Sequence, residues 1–212
     1  MRGIAVYTCN FGDYDPLRDP IVVDPVADYI YFTDRPRESS AWDVQVVPLV
    51  HTPIMQSRDY FCCSTLHLPD YPITVEHGAD CCLKVTASRL AAMLPPEYDI
   101  GVFPHPYRQN VYEEGDACIR FKKDTAERIK PQMERYRREG LPESVRLSTC
   151  ILTIRRNTAQ VEELEEMWWG EVCDGSHRNQ LSFDYCRWKL GVEVFHLPGS
   201  PYDHSLMEVY RH

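Results

Sequence analysis

Chemistry-bearing side chains in this sequence gather in short polar runs between apolar segments. The densest run is Ser176–Tyr185, SHRNQLSFDY, flanked by Trp168 and Trp169 before it and Trp188 after it. It sets a His, an Arg, the amides Asn179 and Gln180, a Ser and an Asp among apolar residues. Such a run suits a polar pocket at the end of a core element, where a guanidinium and amides meet developing negative charge. It also suits a helix start, with Ser176 or Asn179 as the cap and Leu181, Tyr185 and Trp188 as an apolar stripe at i, i+4 and i+7.

A second run, ITVEHGADCCL from Ile73 to Leu83, holds Glu76, His77 and Asp80 within five positions around Gly78. Glycine permits a sharp turn there. Two carboxylates and an imidazole at such a turn could bind Mn²⁺ or Mg²⁺, with the metal bridging a diphosphate, or could be a polar strand end. A third, PHPYRQNVYEEGDACI, clusters His105, Arg108, Tyr112, Glu113 and Glu114. These could hold a sugar or phosphate, or form a structural ion-pair network. A fourth, NFGDYDPLRDP from Asn10 to Pro20, is turn chemistry throughout. Asp34, ending DYIYFTDR, could accept hydrogen bonds from a base or ribose, or cap the next turn.

The elements that must position these runs follow from periodicity. Gly3–Cys9, GIAVYTC, reads as a central buried strand, and Asp28–Arg35 as a second, with Val44–Val50 as a third. Gln56–Leu66 has helical spacing, with Tyr60, Cys63 and Leu66 on one side and Arg58 facing out. Ala87–Leu94 is a short helix stopped by Pro95 and Pro96, and Tyr98–Phe103 a strand. Asp124–Gly140 is a charged helix burying Ile129, Met133 and Tyr136, Leu147–Arg155 the best late strand, Thr158–Glu171 an amphipathic helix, and Val192–Phe195 a last strand. A strand followed at once by a polar loop is where an open α/β sheet places its ligand.

The 212 residues predict one domain, residues 1–212, and the 43% hydrophobic content suffices for a full core. A formal net charge of −9 opposes general binding to nucleic acid or anionic membrane, because phosphates repel an acidic surface. The nine cysteines are odd in number, include two adjacent pairs and make no C-x-x-C, so they read as buried reduced thiols. No signal peptide precedes Ile4, and no apolar run reaches the roughly 20 residues a membrane span needs. A soluble, cytoplasmic protein is the expectation.

IAVYTCNFGDYDPLRDP, YIYFTDRP, HPYRQNVYEEGDACI, YRREGLP and WWGEVCDGSHRNQLSFDYCRWKL occur in that order. Together they resemble a glycosyltransferase-like family, long filed as a domain of unknown function, which includes plant turgor-regulation-defect and mucilage-related proteins and bacterial stand-alone domains. The resemblance runs from Ile4 to about Gly191. It implies a single Rossmann-like GT-A glycosyltransferase domain, an α/β fold with a mostly parallel central sheet flanked by helices. It also implies a nucleotide-diphosphate sugar as donor and a hydroxyl acceptor, a glycan or a small molecule. Thr8, Asn10, Phe11, Asp13 and Tyr14 would form the nucleotide-side loop, with Asp34 and Arg35 by base and ribose. His105, Arg108, Tyr112 and Glu113 would face donor sugar or acceptor, and Arg178 to Ser182 would close the site. Glu113, Glu114 and Asp184 stand as bases for an inverting reaction; in a retaining one Asn179 or Gln180 would stabilise charge instead. Two departures stand out: His77 takes the place of an aspartate in a W-I-D-G-N-like segment, and Asn179 that of the acid in R-D-Q-L-S-F. An amide is no base. A degenerate sugar-nucleotide or glycan binder of the same fold is therefore the rival, and a hydrolase of a nucleotide or lipid the next.

Overall fold

The computed structural model describes residues 3–210. In chain order it runs β1 Ile4–Asn10, β2 Asp28–Thr33, β3 Asp43–Val46, α1 Pro53–Cys62, α2 Ser64–His67, β4 Ile73–His77, β5 Cys81–Leu83 and α3 Ala87–Met93. There follow β6 Ile100–Pro104, α4 Val111–Arg120, α5 Ala126–Arg138, β7 Ser148–Arg156, α6 Ala159–Asp174, α7 Gln180–Leu190, β8 Phe195–His196 and β9 Met207–Val209.

Seven strands form one sheet in the order β3-β2-β1-β4-β7-β6-β8, while β5 and β9 pair separately. All neighbours in the large sheet are parallel except at β7, which runs against both β4 and β6. β1 is buried along nearly its whole length, as a parallel strand covered on both faces must be. Alternate residues serve different layers. Val6 and Val75 join the core with Trp42, Leu83 and Leu90, whereas Tyr7 joins Phe11, Phe32 and Tyr60. A larger cluster packs α4, α5, α6 and α7 around Trp168, Tyr136 and Phe183.

This direction of strands brings the carboxyl ends of β1, β2, β3, β4, β6 and β8 to one edge, together with the amino end of β7. There the pairing of β6 with β7 slips between Val102 and Phe103: Val102 faces Thr153 but Phe103 faces Thr149. A bulge of this kind bends the strand and re-aims its side chains. Here it presents Ser148 and Thr149 to the edge.

Several sequence expectations change. The helix expected over 56–66 breaks at Cys63 into α1 and α2 and leaves Leu66 exposed. Arg58 faces inward, not outward: its Nε donates to the carbonyl of His177 at 3.1 Å. The third strand stops at Val46: Val47 N still donates to Thr33 O at 2.8 Å, and Pro48 after it has no N–H to continue the ladder. The last strand of the sheet is Phe195–His196 rather than Val192–Phe195, since Gly191 at φ 68° ends α7 and Val192 closes that cap through Arg187 O. β9 has no counterpart in the sequence reading. All nine cysteines are free, and only Cys173 is exposed.

Candidate active site at the carboxyl edge of the sheet

The loop leaving β1 turns on two consecutive left-handed residues, Gly12 at φ 74° and Asp13 at φ 61°. A Cβ at Gly12 would sit 2.8 Å from Pro53 Cβ, so only glycine fits both the angle and the approach. The loop is braced from within. Asn10 Nδ2 donates to Tyr31 Oη at 2.9 Å and to the Asp15 carbonyl, and Asn10 Oδ1 accepts from Asp15 N at 3.2 Å. Asp34 Oδ1 accepts from Gly12 N at 2.9 Å, so Asp34 ties β2 to this loop. Asp13 pairs with Arg37 and stands 3.6 Å from Arg35. Phe11 is buried, its ring 5.3 Å from that of Tyr60, and belongs to the core. Tyr14 is exposed. Thr8, two residues before Asn10 in β1, is buried and its Oγ1 has no hydrogen-bond partner.

Glu76, His77 and Asp80 do not converge. Neighbouring residues of a strand point to opposite faces. Glu76, opposite Tyr7 in the ladder, takes a hydrogen bond from Thr153 Oγ1 at 3.3 Å and feels Arg155 and Arg58. His77 goes to the other face, 5.7 Å from the Trp42 ring, with Nδ1 on Gly78 O at 2.9 Å and Nε2 buried without a partner. Asp80 lies beyond the turn, against the Cys81 thiol at 3.5 Å. Among the described residues no group of three or more His, Cys, Asp or Glu side chains is arranged to hold a metal ion. The expected Mn²⁺ or Mg²⁺ set therefore does not fit this geometry.

His105, Arg108 and Glu114 do come together. Arg108 pairs with Glu114, its Nη2 stands 2.9 Å from His105 Nε2, and His105 Nδ1 accepts from Arg108 N at 2.9 Å. Burial, then the Arg108 charge, holds the His105 imidazole below its ordinary range. The set is an ion-pair network whose charges are matched. Tyr112 is instead a core residue, donating to Leu141 O at 2.8 Å, with the Arg137 guanidinium over its ring. Glu113 is a helix-start residue: its Oε2 accepts from Gln109 N at 2.8 Å, while Asn110 Oδ1 accepts from Tyr112 N and Glu113 N. Asp184 anchors the start of β7 through Ser148 N at 2.6 Å and Ser148 Oγ at 2.8 Å, with Arg187 on its other side.

The run opened on above supplies the remaining wall. Neither Ser176 nor Asn179 caps α7 with its side chain: Asn179 already has helical angles, and Ser176 Oγ accepts from Arg178 N at 3.1 Å and donates to Asp124 Oδ2 at 2.6 Å. Trp168 Nε1 holds the Asn179 carbonyl at 2.8 Å. No hydrogen bond within the described chain uses the Asn179 amide side chain, although the residue is buried. Gln180 Nε2 donates to Ser148 O at 3.1 Å, linking α7 to the bulged end of β7. Arg178 lies against Cys118 and Arg58, and its Nε is buried without a partner. His196 Nε2, at the end of β8, is also buried and unpartnered. Arg58 is the site residue that sequence reasoning missed, since helical spacing alone put it on the outer face.

A cleft of about 440 Å³ lies elsewhere, lined by Asp24, Asp28, Tyr29, Asp43 and Tyr71 at the amino ends of β2 and β3, and contains none of these residues. No helix among the described residues is long and apolar enough to cross a membrane.

A mostly parallel α/β sheet with polar groups gathered at its carboxyl edge is a Rossmann-like arrangement, and in open sheets of this kind ligands bind at that edge. Its fold is similar to that of a solved glycosyltransferase. The apo crystal structure of mouse xyloside xylosyltransferase 1 superposes with a TM-score of 0.51 over 92% of this chain and 84% of that one, at 11% sequence identity. The family model for the TOD1/MUCI70 glycosyltransferase-like domain matches residues 90–199, just over half of the chain, and the protein belongs to that family. The matched span holds the runs around His105 and Arg178, while the Asn10–Asp34 segments lie before it. A search of curated proteins finds no sequence match.

Proposed function

We propose that this protein is a glycosyltransferase that moves a sugar from a nucleotide-diphosphate donor to a hydroxyl acceptor, with the donor seated at the carboxyl edge. One observation carries the reading. Buried polar atoms are almost always hydrogen-bonded, yet Thr8 Oγ1 and His77 Nε2, near the carboxyl ends of β1 and β4, and Arg178 Nε, two residues before the Gln180 that bonds Ser148 O, are not. A polar ligand with both donors and acceptors, such as a sugar nucleotide, would satisfy them. The family membership and the fold support the transferase class.

The commitments of the carboxylates favour a mechanism without a dedicated carboxylate base. Glu113 holds Gln109 N, Glu114 is paired with Arg108, and Asp184 is engaged by Ser148 and Arg187. Asn179 and Gln180 are then the residues to stabilise charge as the glycosidic bond breaks. The same commitments favour a second reading, a binder of sugar nucleotides or glycans that does not turn them over. The nine unpaired thiols support a reducing compartment such as the cytoplasm.

The test is donor hydrolysis across a panel of uridine and guanosine diphosphate sugars, with thermal shift measured alongside. At least one donor is expected to release its nucleoside diphosphate and to raise Tm. No release and no shift at about millimolar donor would end both readings. A shift without release in the natural chain, with release appearing in Asn179→Asp, would decide for the binder.

A further inference from the structure

The donor reading leaves open how the chain holds a doubly charged diphosphate when its acids do not assemble a cation site. Arg58 on α1 and Arg178 before α7 supply the answer. They come from segments 120 residues apart and meet because Arg58 Nε donates to the carbonyl of His177, the residue next to Arg178. That bond occupies Nε and leaves both terminal nitrogens of Arg58 with no hydrogen bond to the described chain. Arg178 has Nε buried without a partner and rests on the Cys118 thiol.

Neither arginine has a carboxylate within ion-pair distance among the described residues, in contrast to Arg18, Arg35, Arg37, Arg108, Arg135, Arg155 and Arg187. The two guanidiniums are half-buried and each feels the other's charge, a repulsion that an anion between them would relieve. Their other neighbours do not neutralise them. Burial pushes the Cys9 and Cys62 thiols and the Glu76 carboxyl upward, toward their uncharged forms. Glu114, which reaches Cys118, is matched by Arg108. Arg128 is tied to the Gly175 carbonyl at 2.8 Å, and His177 to Asp124 at 2.9 Å.

Resting on the donor reading above, we infer that Arg58 and Arg178 form a two-guanidinium clamp for the donor diphosphate, which takes the place of a divalent cation. Planar guanidiniums offer paired N–H donors that match phosphate oxygens, and the positive charge stays with the leaving diphosphate as the sugar departs. The clamp also joins α1 to the α6–α7 turn, so the anion would add to the one hydrogen bond from Arg58 Nε to the His177 carbonyl.

The probe is inorganic pyrophosphate, titrated calorimetrically into the full chain in excess EDTA, with uridine diphosphate as a parallel arm. Pyrophosphate binding without metal is expected. Arg58→Gln and Arg178→Gln should each weaken it by about tenfold or more, the worth of one or two charge-assisted hydrogen bonds, and Arg58→Lys should recover part of the loss. Circular dichroism and thermal unfolding would confirm that each variant is folded. Should Arg58→Gln unfold, Arg178→Gln alone carries the test, because among the described residues the Arg178 side chain has no ion pair to lose and is bonded only to the Cys118 thiol. Binding that appears only on adding Mn²⁺ or Mg²⁺, or that both Gln variants leave unchanged, overturns the clamp. Nucleotide binding with metal but none in EDTA overturns it too, while leaving the transferase reading intact. Pyrophosphate binding lost in the variants, with no added affinity for uridine or guanosine diphosphate, upholds the clamp and counts against the nucleotide donor.

Discussion

Two polar regions of this protein, one toward each end of β7, are built on opposite terms. Between β7, α1, α2 and α6, Arg155 and Glu165 sit fully buried and their polar groups are matched. Glu165 Oε1 takes Arg155 Nη1 at 2.7 Å and Ser64 Oγ at 2.5 Å; Oε2 takes Thr65 N at 2.8 Å and Thr65 Oγ1 at 2.7 Å. Arg155 Nη2 donates onward to the Phe61 carbonyl at 2.8 Å. At the carboxyl edge, by contrast, Thr8, His77, Arg178 and His196 keep buried polar atoms with no partner. A closed network sets how helices seat on the sheet. An open one at a sheet edge is what the proposed donor would complete. The difference separates a polar cluster matched within the chain from one that is not, although both are rich in the same residue types.

The largest effect should come from breaking the closed network. Glu165→Leu strands the Arg155 charge in the core and should cost about 3–5 kcal/mol, read by urea denaturation. A cost below about 1 kcal/mol would show that the pair is not buried as described.

Next comes a contrast within the edge itself. Arg108→Met leaves Glu114, which is 3% exposed, without its cation and should cost about 2 kcal/mol. Arg178→Met, with no ion pair to lose and its repulsion with Arg58 relieved, should leave stability unchanged or raise it slightly. Equal losses in the two variants would erase the distinction between matched and unmatched arginines.

Thr8→Val reverses the sign. Removing a buried hydroxyl that has no partner should raise stability by about 1 kcal/mol and lower affinity for nucleoside diphosphate. A loss of stability would mean that the hydroxyl is bonded in the free protein.

The most gradual effect is with pH. Burial, first among the causes, holds His77, His105, His177 and His196 below the ordinary value of 6.5 in the native chain. On unfolding they return toward that value, so below it the unfolded chain binds more protons than the native one. Stability should be full above about pH 6.5 and fall as pH drops through that value, well before carboxylates protonate. Denaturation curves from pH 8 to 5 check it, and a flat profile to pH 5 would show these imidazoles to be solvated. Filling the edge with nucleotide should flatten the slope if His77 Nε2 meets the ligand.

The sequence reading was sharpest where a property is local. The strand–loop junctions after β1, β2 and β6 follow from apolar runs ending in Gly, Pro, Asn and Asp, and α5 from the spacing of Ile129, Met133 and Tyr136. It was weakest where a side chain's meaning depends on a distant partner. The adjacency of Glu76 and His77 suggested one metal site, yet strand alternation sends them to opposite faces. Glu113 beside Arg108 suggested a sugar contact, yet Glu113 holds the backbone of Gln109 and Glu114 takes the arginine. Arg58 has the pattern of an outer helix position, and only the approach of the His177 turn makes it an inner one.

The sequence by itself placed most of the strands and helices, α4 and β9 aside, and carried the family likeness that implied the α/β class, because hydrophobic period, turn residues and short motifs are written in neighbouring positions. Only the tertiary structure decided which polar groups are already matched. A hydrogen bond or ion pair is satisfied by whatever lies within about 3 Å in space, and here those partners are drawn from segments as far apart as Arg58 and His177.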